Sequence, residues 1–359
     1  MANELLLIGS IPFETPEEVF RNWGSALGRY LPAMPDGEVG DRSWWIDGIA
    51  NKVFNGHPQI ETLSRPADDP GGVEQWRPRN LDDQWGFRVK PGVAEVKFGD
   101  PGWRLGFAKD AVNSYFIFKS LKQEGAIPAN LRFQVSVPSV NSNIEVHFRH
   151  PEDYPRIKPG YEAALCAEVA KICEKIPPKD LTIQYDFAAE IIDLEKGLPW
   201  VEKGGVLERH VPQIRNLSAA VHPDAMLGLH LCYGTLGGWP MVMGKDMAPG
   251  VRFANALVAE AKRRIDFVHI PTLDRTEDEF YAPLKDLKAG SARVYLGMIH
   301  NMGDMARFRK RMEAAKRQLA DFGVAAPCGY GRENPANLPA RLKEHLAAVE
   351  ILQQLSKGH

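Results

Sequence analysis

The chain has few cysteines and no long hydrophobic run, and both shortages limit what it can be. Four cysteines in 359 residues cannot form a disulfide framework, so thiols kept reduced in the cytoplasm are the simpler interpretation. No apolar stretch approaches the ~20 residues that cross a bilayer, and the first residues lack the basic region and cleavage site of a signal peptide. We therefore expect a cytoplasmic protein without a membrane partner.

Neither positive nor negative charge is in large excess. The formal net charge is −2, which gives no reason to expect a nucleic-acid partner. A content of 44% hydrophobic and 25% charged residues is typical of a globular protein, and the length allows a large core.

Short apolar runs rich in β-forming residues recur along the chain, and a turn and a longer helix-like segment follow each run. Eight strands alternating with helices predict a parallel (β/α)8 barrel, an α/β fold often called a TIM barrel. The predicted strands are Leu5–Gly9, Ala33–Glu38, Arg132–Pro138, Leu181–Asp186, Met226–Cys232, Ile265–Ile270, Arg293–Ile299 and Gly323–Cys328.

Helix signals lie between these runs. Thr15 followed by Pro16 is typical of a helix N-terminus, and residues 305–322 and 338–355 have amphipathic patterns. Residues 159–174 carry Cys166 and Cys173 on one apolar helical face, so we interpret these two cysteines as core residues.

One long interval interrupts the alternation. Residues 40–130 separate the second and third predicted strands, with residues 110–122 as the clear helix. We predict one barrel domain over residues 1–359, with 40–130 as an excursion over its mouth. Four tryptophans of this interval are candidates for lining a donor pocket, and packing at the surface or within the excursion would explain them equally well: Trp44, Trp45, Trp85 and Trp103.

His230 and Cys232 are two residues apart on a predicted strand, so both side chains point to one face. Cys328 lies 96 positions later, at the end of the last predicted strand. One imidazole and two thiolates suit Zn²⁺, and three protein ligands with an open position are typical of a catalytic site. Cysteines buried as small apolar side chains would account for the same residues.

Polar residues end seven of the eight predicted strands, whereas the strand interiors are apolar. In a (β/α)8 barrel the active site is built at the carboxyl ends of the strands. The strand ends are Gly9-Ser10, Asp36-Gly37-Glu38, Asp186, His230 to Cys232, His269, His300 and Cys328.

These motifs, in their order, resemble a known family over nearly the whole chain. They are Ile8-Gly9-Ser10, Asp36-Gly37-Glu38, Ile183-Gln184-Tyr185-Asp186, His230-Leu231-Cys232, Val294-Tyr295 to His300, and Pro327-Cys328-Gly329. The chain is similar to the catalytic half of cobalamin-independent methionine synthase, which belongs to one superfamily with uroporphyrinogen decarboxylase. Because His-X-Cys with a distal Cys is shared by the thiol-alkylating members, it identifies the chemistry better than the substrate.

The resemblance implies a metal centre and a proton donor. His230, Cys232 and Cys328 would be zinc ligands, and the zinc would bind the acceptor thiol as a thiolate. His300 would be the catalytic residue that protonates the leaving atom of the donor. A histidine that is only hydrogen-bonded at the rim is the alternative.

The resemblance also implies how the acceptor is held. Ile8, Gly9 and Ser10 would bind the carboxylate of homocysteine, and Glu38 and Asp186 would bind its ammonium group. The charges alone support the binding of an ammonium group by Glu38 and Asp186, because two carboxylates at the mouth of one barrel need a cation between them.

Two departures from the family pattern affect these expectations. Pro271 stands where the family has a glutamate as fourth zinc ligand. His269, two positions earlier, either replaces that ligand or lies behind the ligands or facing the substrate, with water or substrate in the fourth position. The family's tryptophan after the third strand is missing from residues 137–144. The chain also lacks the N-terminal half that full-length synthases carry. The methyl donor therefore stays open between 5-methyltetrahydrofolate, a corrinoid protein as partner, and another methyl compound.

The sequence predicts a zinc-dependent methyltransferase acting on a small, homocysteine-like thiol. Zinc-dependent transfer of another alkyl group, for example from an epoxide, is the first alternative. A metal-free lyase resembling uroporphyrinogen decarboxylase is the second.

Overall fold

The computed structural model describes residues 4–67, 76–99 and 102–357 of the chain. Residues 68–75 and 100–101, which fall in the interval 40–130, lie outside this part.

Eight parallel strands form the barrel that the sequence predicts. The barrel strands are β1 Leu5–Leu6, β2 Ala33–Pro35, β5 Arg132–Pro138, β6 Leu181–Phe187, β7 Met226–Leu231, β8 Phe267–Pro271, β9 Arg293–Gly297 and β10 Gly323–Ala325. All eight predicted strands are present, with ends shifted by a few residues. Their order around the sheet is β1, β10, β9, β8, β7, β6, β5 and β2, and a parallel bridge between Ser10 and Gly37 joins the segments that follow β1 and β2.

The strands are apolar because both of their faces are buried. Outward side chains such as Leu227 and Leu229 of β7 join the main hydrophobic core under the helices. A separate small cluster, containing Leu6, Ile8, Phe267, Tyr295 and Ala325, packs together from strands around the barrel.

Gly228 of β7 makes room for one member of that cluster. A Cβ atom at Gly228 would lie 1.9 Å from the Phe267 ring, which no real contact allows. Glycine at this position therefore lets a large aromatic ring occupy the space beside β7.

The helices agree with the sequence signals. The first helix begins after Thr15, which forms a capping box with Glu18 and is followed by Pro16. Cys166 and Cys173 lie partly buried against the core, as predicted. The α-helices are α1 Pro16–Val19, α2 Ser25–Leu27, α3 Trp45–Ile49, α4 Phe107–Gln123, α5 Val140–His147, α6 Tyr154–Lys175, α7 Ala189–Leu194, α8 Val206–His210, α9 Ile214–Ala219, α10 Ala248–Glu260, α11 Asp278–Tyr281, α12 Met305–Gln318 and α13 Leu338–Lys357.

The interval 40–130 contains the predicted helix, α4, and a hairpin that the sequence did not reveal. β3 Ile60–Ser64 pairs with β4 Gly86–Val89 in antiparallel fashion. β3 gave no strand signal because only Ile60 of its five residues is buried. Phe54 of this interval packs against Phe148 and against Tyr161 of α6, so the excursion shares the main core. Its assignment to a single domain stays a prediction.

Within the described ranges, we find no helix with the length and apolar character needed to span a bilayer.

Candidate metal and substrate site

The structure brings together the imidazole and the two thiols that the sequence singled out. The ligand atoms of His230, Cys232 and Cys328 all lie within 4.8 Å of one another, and the two Sγ atoms are 3.2 Å apart. His230 is on β7, Cys232 directly follows it, and Cys328 follows β10. This donor set and its compactness fit a zinc ion.

His269 contacts His230 and is positioned to orient its imidazole ring. Its Nε2 lies 3.1 Å from the Ala326 carbonyl oxygen, and its Nδ1 lies 2.8 Å from Nδ1 of His230. Burial holds the pKa of His269 well below its usual value, so the ring is neutral. The hydrogen-bond network then assigns the His269 proton to Nε2, which leaves Nδ1 to accept from His230. His230 Nε2 is thereby free as a ligand atom.

The structure thus does not place His269 in the three-residue ligand group. Both of its ring nitrogens have other partners, and its contact with His230 is the kind that orients a metal-binding imidazole.

The two thiols are within hydrogen-bond distance of each other. Cys232 donates to Cys328 Sγ, and this contact holds the pKa of Cys328 well below its usual value. The same contact, together with burial, raises the pKa of Cys232. The arrangement shows one sulfur already suited to be a thiolate ligand.

Two buried carboxylates lie beside the thiols. Burial raises the pKa of Glu38 to about 7, with Asp36 adding to the rise, although a hydrogen bond from the Ser10 hydroxyl opposes it. Burial first, and Glu38 second, raise the pKa of Asp186 well above its usual value. Ionising both carboxyl groups is therefore costly unless a cation lies between them.

The segment after β2 holds Glu38 in a strained conformation. Glu38 has a φ of 47°, and its backbone N–H donates to Asp36 Oδ1 at 2.9 Å. Asp36 is in turn paired with Arg42 at 2.8 Å. A backbone strained in this way persists only where the surrounding contacts hold it in place.

A layer of amides below the site was not recognised in the sequence. Gln184 Nε2 donates to Asp186 Oδ1 at 2.8 Å and to the Ile8 carbonyl at 2.7 Å. Gln134 Nε2 donates to the same carbonyl at 2.9 Å. Gln184 precedes Asp186 by two residues on one strand, so the period-two pattern could have found it.

His230, Cys232, Cys328, Glu38, Asp186 and Ser10 all line one cavity of about 920 Å³, counting space open to solvent. Arg332 carries the only cationic side chain among the described residues that line it. Much of the remaining lining, which we call the apolar wall, is hydrophobic. The apolar wall consists of Trp44, Ile46, Leu81, Val146, Ala188, Ala189, Ile192, Leu198, Leu236 and Met241. The predicted carboxylate-binding residues Ile8, Gly9 and Ser10 also line the cavity.

His300 faces a different space. It lines an outer groove with Trp239 that meets the main cavity at Cys328 and Arg332. Its Nε2 lies 2.9 Å from the Thr272 carbonyl oxygen. Burial and the neighbouring Arg311 lower the pKa of His300 to about 3, so the ring is neutral at physiological pH. Its role as proton donor stays a prediction, and these contacts do not favour it.

The four tryptophans of the excursion lie in different surroundings. Trp44 joins the apolar wall, with the Arg332 guanidinium 5.0 Å from its ring centroid. Trp85 stacks on Phe87 in the core, and Trp103 packs on His57. The side chain of Trp45 lies outside the described part.

A second group of ligand-type residues lies apart from this site. Glu145, Asp193 and His210 are buried with ligand atoms within 4.8 Å of one another. Lys158 lies 2.6 Å from Glu145, and Arg209 lies 2.5 Å from Asp193. Since both carboxylates already have cationic partners, the group is a neutralised structural network.

Comparisons with known proteins agree on the fold. No family model matches the chain, and no curated protein matches it by sequence. Its structure is similar to a B12-independent methionine synthase from Shewanella sp. W3-18-1, solved in complex with selenomethionine, with 13% identity, full coverage of both chains and a TM-score of 0.60. It is also similar to a putative vitamin-B12-independent methionine synthase from Listeria monocytogenes, with 15% identity, 94% of this chain and 86% of that chain covered, and a TM-score of 0.51. The chain thus has the barrel fold of these methionine synthases.

Proposed function

We propose that the protein is a zinc-dependent methyltransferase that methylates a small amino-acid thiol such as homocysteine. The observation that carries the proposal is the convergence of the His230, Cys232 and Cys328 group with two buried carboxylates on one cavity. The structural neighbours support it as analogy, because both are described as methionine synthases.

Zinc fits the metal-binding residues of this chain. The two cysteines are free thiols, and the His230–His269 contact turns an imidazole nitrogen towards them. A zinc ion held there would lower the pKa of an acceptor thiol, so that its sulfur attacks as a thiolate at neutral pH.

The carboxylates would select the acceptor. An ammonium group between Glu38 and Asp186 would offset the repulsion and burial that raise the pKa of both. The acceptor carboxylate would lie against Ile8, Gly9 and Ser10, with Arg332 as the cation of the lining. A thiol bearing a second anion in place of the ammonium group would be repelled.

The chemical step needs no further reactant. The acceptor sulfur forms a bond to the methyl carbon, and the bond between that carbon and the donor's leaving atom breaks. A leaving nitrogen or oxygen keeps the electron pair and takes up a proton, which balances the proton lost by the thiol; a leaving corrinoid cobalt would keep the electron pair alone, and the thiol proton would pass to solvent. The imidazole of His300 would have to turn towards the cavity to provide that proton.

Alkyl transfer from an uncharged electrophile such as an epoxide is the alternative that the structure also favours. The apolar wall is the specific observation behind it. A corrinoid protein or 5-methyltetrahydrofolate as donor, and the cytoplasmic location, stay predictions.

Metal content and product formation test the proposal together. Protein purified without chelator should contain about one zinc per chain by elemental analysis, and mass spectrometry should detect the methylated thiol. Cys232→Ser or Cys328→Ser should remove most of the metal and the activity.

Cys166→Ser and Cys173→Ser are matched controls, because these thiols lie partly buried in the core on α6. Full activity of the Cys232→Ser variant, or a purified active protein without zinc, would refute the metal-dependent mechanism and favour a metal-free lyase.

A further inference from the structure

We infer that the second substrate, the electrophile, is an uncharged molecule with an apolar body that packs on the apolar wall. The inference rests on the proposed function and adds the chemical class of the donor to it.

The apolar wall is continuous with the metal-binding group. Val146, Ala189, Ile192 and Leu198 form one hydrophobic cluster, against which Met241 packs. Gly234 joins this cluster to the site, since a Cβ there would lie 2.5 Å from the Met241 sulfur and 2.8 Å from Ile192 Cδ1. Its backbone N–H lies 3.3 Å from Cys232 Sγ. A molecule on the apolar wall therefore lies close to an acceptor sulfur beside Cys232.

The acceptor leaves the apolar wall uncovered. Glu38, Asp186 and the segment 8–10 suffice for the ammonium and carboxylate groups of an amino-acid thiol. Apolar surface in a cavity is favourably removed from water by an apolar ligand, so the remaining lining suits the donor.

Two polar side chains near the apolar wall already have their hydrogen bonds. Gln84 Nε2 donates to Asp47 Oδ1 at 2.8 Å, and Gln84 Oε1 accepts from the Trp85 backbone N–H at 2.8 Å. A donor with many polar atoms would compete with this pair for hydrogen bonds, whereas an apolar one would leave it intact.

Charge disfavours an anionic donor in the same space. Three buried carboxyl groups, those of Glu38, Asp47 and Asp186, line the cavity. Against them stands Arg332, the one lining cation among the residues that the structure describes. Because the proposed function already assigns Arg332 to the acceptor carboxylate, a donor carrying several carboxylates would find no cation of its own in this lining.

Binding of methoxybenzene and of its anionic analogue p-methoxybenzoate tests the inference. Calorimetry and the quenching of tryptophan fluorescence report the binding, because Trp44 belongs to the apolar wall. We expect methoxybenzene to bind at least about tenfold more tightly than p-methoxybenzoate. Equal or tighter binding of p-methoxybenzoate, or of 5-methyltetrahydrofolate, would overturn the inference.

Variants locate the binding. Met241→Glu should weaken methoxybenzene binding about tenfold or more, and Met241→Leu should restore it. Met243→Glu is the matched control because Met243 is 69% exposed and does not line the cavity. Leu236→Glu, at a half-buried position of the same lining, repeats the test should Met241→Glu fail to fold. Unchanged binding in the folded variants would refute the assignment.

These measurements need neither zinc nor an acceptor. Methoxybenzene binding without any methyl transfer would leave the apolar subsite standing while the proposed function fails. Methyl transfer without methoxybenzene binding would refute only the inference.

Discussion

Replacing Glu38 by glutamine should stabilise the protein at high pH and not at low pH. Glu38 is 8% exposed, and burial raises its pKa from 4.5 to about 7. The folded protein therefore binds more protons than the unfolded chain between these two values, so that stability falls as the pH rises through this range. A glutamine side chain at this position does not ionise and carries no such penalty.

The magnitude follows from the two pKa values. At about 1.4 kcal/mol for each pH unit between them, full ionisation of Glu38 costs about 3 kcal/mol. In the wild type the Ser10 hydroxyl donates to Glu38 Oε2. A glutamine side chain would keep an oxygen that accepts this hydrogen bond. We expect the variant to gain about 2 to 3 kcal/mol over the wild type between about pH 5 and about pH 8.

Urea unfolding across this pH range, with a chelator present to remove metal binding from the comparison, measures the effect. Glu350→Gln, at an exposed position of α13, is the control and should show no comparable pH dependence. A stability difference between Glu38→Gln and wild type that stays constant from about pH 5 to about pH 8 would show that burial does not raise this pKa as reasoned.

Three further predictions concern the site. His269→Ala should weaken zinc binding about 10- to 100-fold in chelator competition, because His230 loses the contact that orients it. A variant that binds zinc as tightly as the wild type would show that His269 does not orient His230. Homocysteine binding should weaken as the pH falls below about 7 because Glu38 becomes protonated, whereas an analogue without the amino group should show no such change in calorimetry. Gly9→Ala should weaken homocysteine binding while leaving the zinc content unchanged, since a Cβ at Gly9 would lie 2.5 Å from Glu38 Oε1; loss of zinc as well would point to a wider disruption.

The fold could be predicted because its signals are local. Each strand of the barrel is an apolar run with a turn after it, and from the third barrel strand onwards these runs recur at the spacing of a β/α unit. The proximity of Cys232 and Cys328 followed from the same prediction, because all parallel strands of a barrel end at one rim. The hairpin of β3 and β4 was missed because β3 lies mostly exposed and has no apolar pattern.

The sequence by itself thus determined the barrel and which polar residues stand at its rim. Only the tertiary structure decided how those side chains point: His269 towards His230, Ser10 towards Glu38, and His300 away from the main cavity. It also assembled the apolar wall from loops and short helices that lie far apart in the chain. The physical reason is that periodicity records which face of a strand is buried, whereas hydrogen-bond partners and cavity linings depend on aperiodic loops whose positions arise only when the whole chain packs.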